Sequence, residues 1–185
     1  MSDALKLEPM EVLRMRHDTK DTFTFDLDAR PRGGFRFAPG QFNMLYAFGL
    51  GEVPISISGD PLRPAVLPHT VRAVGPTTRA LEKLRRGDSL GVRGPFGTPW
   101  PVDEAQGRDL ILVAGGIGLA PLRPVIYSIL SRRQVFGKVC IAYGARTPDD
   151  LLFGKEIAKW RGRIDIDLEV TVDRGDPKWR GHTGV

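Results

Sequence analysis

The stretch that decides the fold is DLILVAGGIGLAPLRPVI, Asp109–Ile126. It opens on a continuous apolar run, the pattern of a strand buried on both faces of a parallel sheet. Three glycines in four residues follow, Gly115, Gly116 and Gly118. A helix is then expected through APLRPVIYSILSRRQ, with Pro121 in its first turn, where a missing N–H costs nothing. Bare backbone at a strand-to-helix turn is what a pyrophosphate requires, because it sits against amides at a helix N-terminus and a side chain would hold it away. Gly116 and Gly118 take the first two places of G-x-G-x-x-G, and Pro121 stands at the third, a departure from the plain fingerprint. A tight turn with no ligand is the competing reading.

Downstream, KVCIAYG (Lys138–Gly144) and IDLEVTVD (Ile166–Asp173) read as strands, and DDLLFGKEIAKW between them reads as a helix. Strand–helix–strand–helix–strand predicts a doubly wound parallel sheet. Three strands make half of an ordinary dinucleotide fold, so the α/β domain is expected to be truncated at GHTGV. Upstream, six short alternating segments read as strands: Met10–Met15, Thr22–Asp28, Phe42–Phe48, Pro54–Ser58, His69–Val74 and Ser89–Gly94. They predict a small antiparallel barrel or sandwich. One amphipathic helix, TTRALEKLRRGD, interrupts them, with Leu81 and Leu84 on one face and Gly87 at its stop. The expected domains are residues 1–102 and 108–185. A second glycine turn, GPFG, ends the barrel, and the amides around Gly94 and Gly97 are a further phosphate-cradle candidate; an ordinary Pro-containing turn is its bland reading.

Composition excludes several classes. Of the 185 residues 41% are hydrophobic, which allows a packed core, and no run approaches the roughly 20 apolar residues of a membrane span. No apolar signal region opens the chain. The one cysteine, Cys140, rules out an internal disulfide and a cysteine-rich metal framework; on a central strand it reads as a buried, inert thiol. A cytoplasmic protein is the simple expectation. The net charge of +5 comes from basic residues interleaved with acids, which reads as a solvated, mildly basic surface. His17, His69 and His182 are dispersed, without the spacing of a metal site or a triad, and read as surface or structural residues. Gly154-Lys155 is no P-loop, because Asp149 stands where the loop needs its first glycine.

Two cradle candidates about twenty residues apart, one closing a barrel and one opening a parallel sheet, resemble the ferredoxin–NADP reductase superfamily. The resemblance covers most of the chain. It runs through PGQF (Pro39–Phe42), VPISIS (Val53–Ser58), HTVRAVGPTTRALEKLRRGDSLGVRGPFG (His69–Gly97), YGARTPDDLLF (Tyr143–Phe153) and VTVDRGDPKWRGHTGV (Val170–Val185). The last two are similar to a narrower branch: the gamma subunits of soluble nickel–iron hydrogenases and sulfhydrogenases, the beta subunit of anaerobic sulfite reductase, and the electron-transfer subunit of dihydroorotate dehydrogenase.

The resemblance implies a flavin-binding antiparallel β-barrel of Greek-key type followed by an NAD(P)-binding α/β domain. It implies FAD, with FMN as the lesser option, held by Pro54, Ile55, Ser56 and the backbone of Val53, with Thr70, Val71 and Arg72 along the ribityl and phosphate region. Gly75, Thr77 and Thr78 would hold the pyrophosphate at a helix start. Val53 replaces the family's motif arginine, and Arg72 or Arg79 would have to compensate. NAD or NADP would lie on Gly115, Gly116, Gly118 and Pro121, its adenosine half beside Gly144, Ala145 and Arg146. There an arginine either stacks on adenine or meets a 2′-phosphate. Asp173 faces the same crevice in the family. No acid–base residue is needed, since hydride passes between stacked rings. A [2Fe–2S] cluster, common in the branch, would require a C-terminal cysteine group beyond these residues. The implied activity is hydride exchange between NAD(P)H and flavin, with electrons passed to an iron–sulfur or hydrogenase-like partner, without nucleic acid or membrane insertion. Two rivals stand beside it: a non-catalytic barrel-fold interaction subunit, and a single-stranded nucleic-acid-binding barrel, which salt-sensitive DNA binding would favour.

Overall fold

A computed structural model describes residues 4–184 of the chain. Six strands form the first sheet: β1 (Glu8–His17), β2 (Thr22–Asp28), β3 (Phe42–Ala47), β4 (Gly51–Ser56), β5 (Val66–Arg72) and β6 (Ser89–Phe96). Their spatial order is β4-β3-β6-β1-β2-β5, with every neighbouring pair antiparallel. A single bridge between Ile57 and His69 joins β4 to β5 and closes the sheet into a barrel. Alternation does the building. Phe23, Phe25 and Leu27 of β2 point inward against Val71, His69 and Leu67, their register partners on β5. Leu45, Leu90 and Val92 complete the fully buried core, and Leu81 of helix α1 (Pro76–Glu82) packs into it.

α1 ends earlier than its sequence pattern predicts. Lys83 and Leu84 turn their amides to Ala80 and Leu81, three residues back, so the last turn tightens before Gly87 is reached.

The second unit holds β7 (Leu110–Gly115), α2 (Leu119–Ser131), β8 (Val139–Ala145), α3 (Gly154–Arg161), β9 (Asp167–Val172) and the two-residue β10 (His182–Thr183). Its strands are parallel, in the order β10-β9-β8-β7. Leu112, Ile141, Tyr143, Val170, Ile126, Ile129, Ile157 and Trp160 form one core, and Val102 already belongs to it. The predicted helix over DDLLFGKEIAKW is broken. Phe153 adopts a left-handed backbone (φ 57°) and Leu151 an extended one, so α3 starts only at Gly154.

One expectation is corrected here. The DLILVA strand is buried on one face only: Leu112 and Ala114 face α2 and the core, whereas Ile111 and Val113 are 76% and 71% exposed. Cys140, the register partner of Ile111, lies on that same open face and is half-buried rather than buried. No helix of the described residues is long and apolar enough to cross a membrane.

Candidate functional site

The C-terminal edge of the parallel sheet is built from small residues. Gly115 of β7, Gly144 of β8 and Thr171 of β9 lie in one register row. Ligands of open α/β sheets bind at this edge. The chain leaves β7 through Gly115, makes a single 3₁₀ turn over Gly116–Gly118 and runs straight into α2. Gly116 has a left-handed backbone (φ 50°), which glycine adopts without strain. A β-carbon placed on Gly115 or Gly118 would meet nothing within 4 Å. Gly115 and Gly118 therefore leave room above the backbone that no other described residue fills. Pro121 sits in the first turn of α2, where its missing amide leaves no hydrogen bond unmade.

The barrel reaches this turn through β5. A β-carbon on Gly116 would lie 3.8 Å from an Nη2 atom of Arg72. Arg72 pairs with Asp21 at 3.5 Å. Burial alone would raise the Asp21 carboxyl; hydrogen bonds from Thr22 and Thr19 and the charges of Arg72 and Arg146 outweigh it and hold the carboxyl below the ordinary carboxylate range. The face of β2 and β5 turned toward the second unit is polar yet buried. Thr24 is hydrogen-bonded to Thr70 at 2.8 Å, Thr70 to Ser58 at 2.9 Å, and the Thr24 hydroxyl donates to Asp18 at 2.5 Å. Thr70 thus spends its hydroxyl on the barrel's own network, and Val71 points into the core.

At α1, the Thr78 hydroxyl accepts from the Val74 and Gly75 amides and donates to the Gly75 carbonyl, so Thr78 is the cap of its own helix. The Thr77 hydroxyl makes no hydrogen bond among the described residues and lies 3.9 Å from where a β-carbon on Gly51 would be. The first-turn amides of α1 carry no intrahelical partners, as at any helix start. On β4, Val53 and Ile55 pack against the barrel core, Pro54 is exposed and Ser56 is half-buried. No guanidinium stands at Val53. Arg79 is exposed on α1. Arg93, on β6, reaches across β3 to Glu52, one residue from Val53; its Nε donates to Glu52 at 2.9 Å.

The GPFG turn has a different use for its glycines. A β-carbon on Gly94 (φ 144°) would lie 2.1 Å from Asn43 Oδ1, and one on Gly97 (φ 89°) would lie 3.1 Å from the Phe42 ring. Packing of β3 against the turn accounts for both residues without a ligand. Arg146, 65% exposed, pairs with Asp150 at 3.7 Å. Asp173 is exposed; its amide donates to the Ala145 carbonyl, and the Arg174 amide donates to that of Arg146. Arg146 and Asp173 are thus joined at the ends of β8 and β9, beside Gly144.

Two buried clusters were not apparent from the sequence. His69 fills the barrel interior and takes a hydrogen bond from Asn43 Nδ2 at its Nε2, 3.1 Å away. Burial pushes its pKa down to about 3, so the ring is neutral. Arg123, 4% exposed on α2, bonds Glu156 through Nε (3.0 Å) and Nη2 (2.6 Å) and lies 4.0 Å over the Phe153 ring. The only sequence signals were one arginine on the apolar face of a helix and one histidine inside an alternating strand. No group of metal-ligating side chains occurs among the described residues.

Comparison with known proteins agrees with this geometry. Residues 112–185 match the model of the oxidoreductase NAD-binding domain. The chain is 40% identical over 151 residues to the sulfhydrogenase 1 gamma subunit of Pyrococcus furiosus, covering 80% of this chain and 51% of that protein. It is 39% identical over 178 residues to a probable dihydroorotate dehydrogenase B (NAD(+)) electron transfer subunit of Methanopyrus kandleri, covering 96% and 63%. The chain thus spans about half to three-fifths of the length of these relatives. Among solved structures, a Neisseria gonorrhoeae ferredoxin NADP+ reductase with bound FAD and NADP superposes with a TM-score of 0.81 at 23% identity, over 97% of this chain and 73% of the other, which speaks for the fold. Barrel, parallel sheet and sequence agree: residues 112–185 belong with the oxidoreductase NAD-binding domain, and the chain is similar over most of its length to the sulfhydrogenase gamma and dihydroorotate dehydrogenase electron-transfer subunits.

Proposed function

We propose that this chain is the flavin- and pyridine-nucleotide-binding part of an electron-transfer subunit, which exchanges hydride with NAD(P)H and passes electrons to an iron–sulfur or hydrogenase-like partner. The observation that carries the reading is the open glycine turn at Gly115–Gly118 with Arg72 of the barrel beside it. It joins bare amides, a helix start and a cation at one point between two folded units, which suits a diphosphate.

The residues fit both groups. Gly115, Gly116, Gly118 and Pro121 would hold the nicotinamide dinucleotide's phosphates, with Gly144, Arg146 and Asp173 at its adenosine half. Val53, Pro54, Ile55 and Ser56 would border the flavin ring, with Thr70, Val71 and Arg72 alongside. The start of α1, with Gly75, Thr77 and Thr78, would take the flavin's diphosphate. Thr78 contributes there by shaping the helix start, and Thr77 by its free hydroxyl. Gly94 and Gly97 act through Asn43 and Phe42, by holding β3 in place. FAD is favoured over FMN because the start of α1 offers its first-turn amides together with the Thr77 hydroxyl, more donors than a single phosphate needs. Flavin, once bound, accepts two electrons together and releases them singly. Cys140 alone cannot ligate an iron–sulfur cluster, so any such cluster resides on other residues or on the partner.

The test is direct. The purified chain is expected to be yellow, to release FAD on denaturation, and to bleach under NADH or NADPH without oxygen. A colourless chain that takes up neither FAD nor FMN would instead establish a non-catalytic interaction subunit.

A further inference from the structure

Away from the cofactor cleft, two cavities adjoin along the outside of β1 and share Arg14 and His17. One, of about 690 Å³, lies between the barrel and the start of α3. The other, of about 750 Å³, lies between β1 and the end of α1. None of the candidate cofactor residues lines either one.

Their charge is one-sided. Eight arginine and lysine side chains line the pair against five carboxylates, which places three of the chain's five net positive charges on this one face. The pairing sharpens the imbalance. Asp18 and Asp26 are both taken up by Arg16, and Glu156 by the buried Arg123. Arg14, Arg63, Lys83, Arg85, Arg86 and Lys155 have no ion-pair partner among the described residues, and all six are exposed. Lys155 stands in the first turn of α3, which has no side-chain cap, so the helix dipole adds to the field there.

We propose that this groove docks the acidic face of a partner protein. The proposal rests on the electron-transfer-subunit reading for the partner's existence, while the groove itself is a separate site. Three features favour protein over the other polyanions. The free cations are spread over both cavities and converge on no point, unlike a site for one phosphate. Asp60 and Glu82 stand among them; they would repel a continuous phosphodiester chain but accept the scattered lysines and arginines of a mixed protein face. Of the rings that line the groove Phe153 is buried and Tyr127 half-buried, which leaves the His17 imidazole exposed by itself, too little for the row of rings on which successive bases stack.

The experiment uses the whole chain with two fluorescent probes of equal charge, a poly-L-glutamate peptide and an oligo-dT strand. Anisotropy would be read at about 50 mM and about 200 mM salt. Poly-glutamate is expected to bind more tightly than oligo-dT. The triple reversal Arg14→Glu, Arg85→Glu, Lys155→Glu should weaken it at least about tenfold. The reversal Lys138→Glu, Lys178→Glu, outside the groove, should leave it within about twofold. Zero-length carbodiimide coupling should join the peptide to Lys83 and Lys155. Tighter oligo-dT binding, equal loss in both variants, or coupling spread evenly over all lysines would overturn the proposal. Flavin uptake, measured in the same variants, is expected to be unchanged; if the unsubstituted chain takes up no flavin while the groove result holds, the fault lies with the electron-transfer reading and not with the groove.

Discussion

The chain contains two glycine turns that look alike in sequence and differ in three dimensions. At GPFG the neighbours press in. Asn43 Oδ1 and the Phe42 ring occupy the space that β-carbons on Gly94 and Gly97 would need, and both glycines have positive φ. At AGGIG the neighbours stand back, with nothing near Gly115 or Gly118. The first turn uses glycine so that the protein can pack against backbone. The second uses it so that something else can. A glycine in a strand-to-helix turn therefore marks a binding site only when the space above it is open.

The largest expected effect tests the closed turn. Gly94→Ala forces a β-carbon into Asn43 at a φ that alanine resists, and is expected to destabilise the barrel by about 3 kcal/mol or more. Thermal unfolding by circular dichroism checks this. A loss below about 1 kcal/mol would mean that β3 gives way easily, and the contrast between the turns would lose its basis.

The second effect is a pH dependence seated beneath the same turn, where Asn43 holds His69. The His69 ring titrates near 6.5 in the unfolded chain and near 3 when folded. Below pH 6.5 the unfolded state takes up a proton that the folded state refuses, so stability falls as the pH drops through the window from about 6.5 to about 3. The slope is at most about 1.4 kcal/mol per pH unit, and about 2 kcal/mol is expected to be lost between pH 6.5 and 4.5. Urea unfolding at several pH values measures it. In His69→Gln this component should vanish. If the variant keeps the same slope as the unsubstituted chain, the histidine is not its source.

Much of this was legible in the sequence, for reasons that vary with position. All six barrel strands are found because alternation survives wherever one face meets a core and the other does not: TFTFDLD reads as a strand because Phe23, Phe25 and Leu27 all point inward. The parallel strands are found because apolar runs bounded by glycine and proline leave few alternatives. Burial on both faces of β7 was misread, because Ile111 and Val113 are as apolar as Leu112 while their exposure depends on what lies across the sheet. The helix over Asp149–Trp160 was overextended because no local rule marks Phe153 for a left-handed backbone. Arg123 with Glu156, and Asn43 with His69, were missed because partners 33 and 26 residues apart meet only after folding. The two glycine turns could not be told apart for the same reason: what fills the space above Gly94 comes from β3, some fifty residues earlier in the chain.

The third effect tests the open turn. Gly118 has helical dihedrals (φ −60°, ψ −16°) and free space beside it, so Gly118→Ala is expected to leave stability unchanged or raise it by up to about 1 kcal/mol. The same methyl group stands where a phosphate would approach, and the dissociation constant for NADH or NADPH, whichever bleaches the flavin, should rise about tenfold or more. Titration calorimetry on the flavin-loaded chain measures this. Unchanged affinity would show that the open space is not where the nucleotide lies.

The smallest effect concerns Arg72, the residue that brings the barrel to the open turn. Its pair with Asp21 is partly exposed and 3.5 Å long, so Arg72→Ala should cost no more than about 0.5 kcal/mol in stability. Two other readouts separate a ligand-holding arginine from a structural one. The Asp21 carboxyl, relieved of a nearby positive charge, should titrate at higher pH than in the unsubstituted chain, which carboxyl-carbon NMR follows directly. Dinucleotide affinity should fall several-fold and regain only part of the loss in Arg72→Lys, because an ammonium restores the charge without the two-pronged grip. If Asp21 shifts while affinity does not, Arg72 serves the barrel alone, and the open turn relies on its amides and the start of α2.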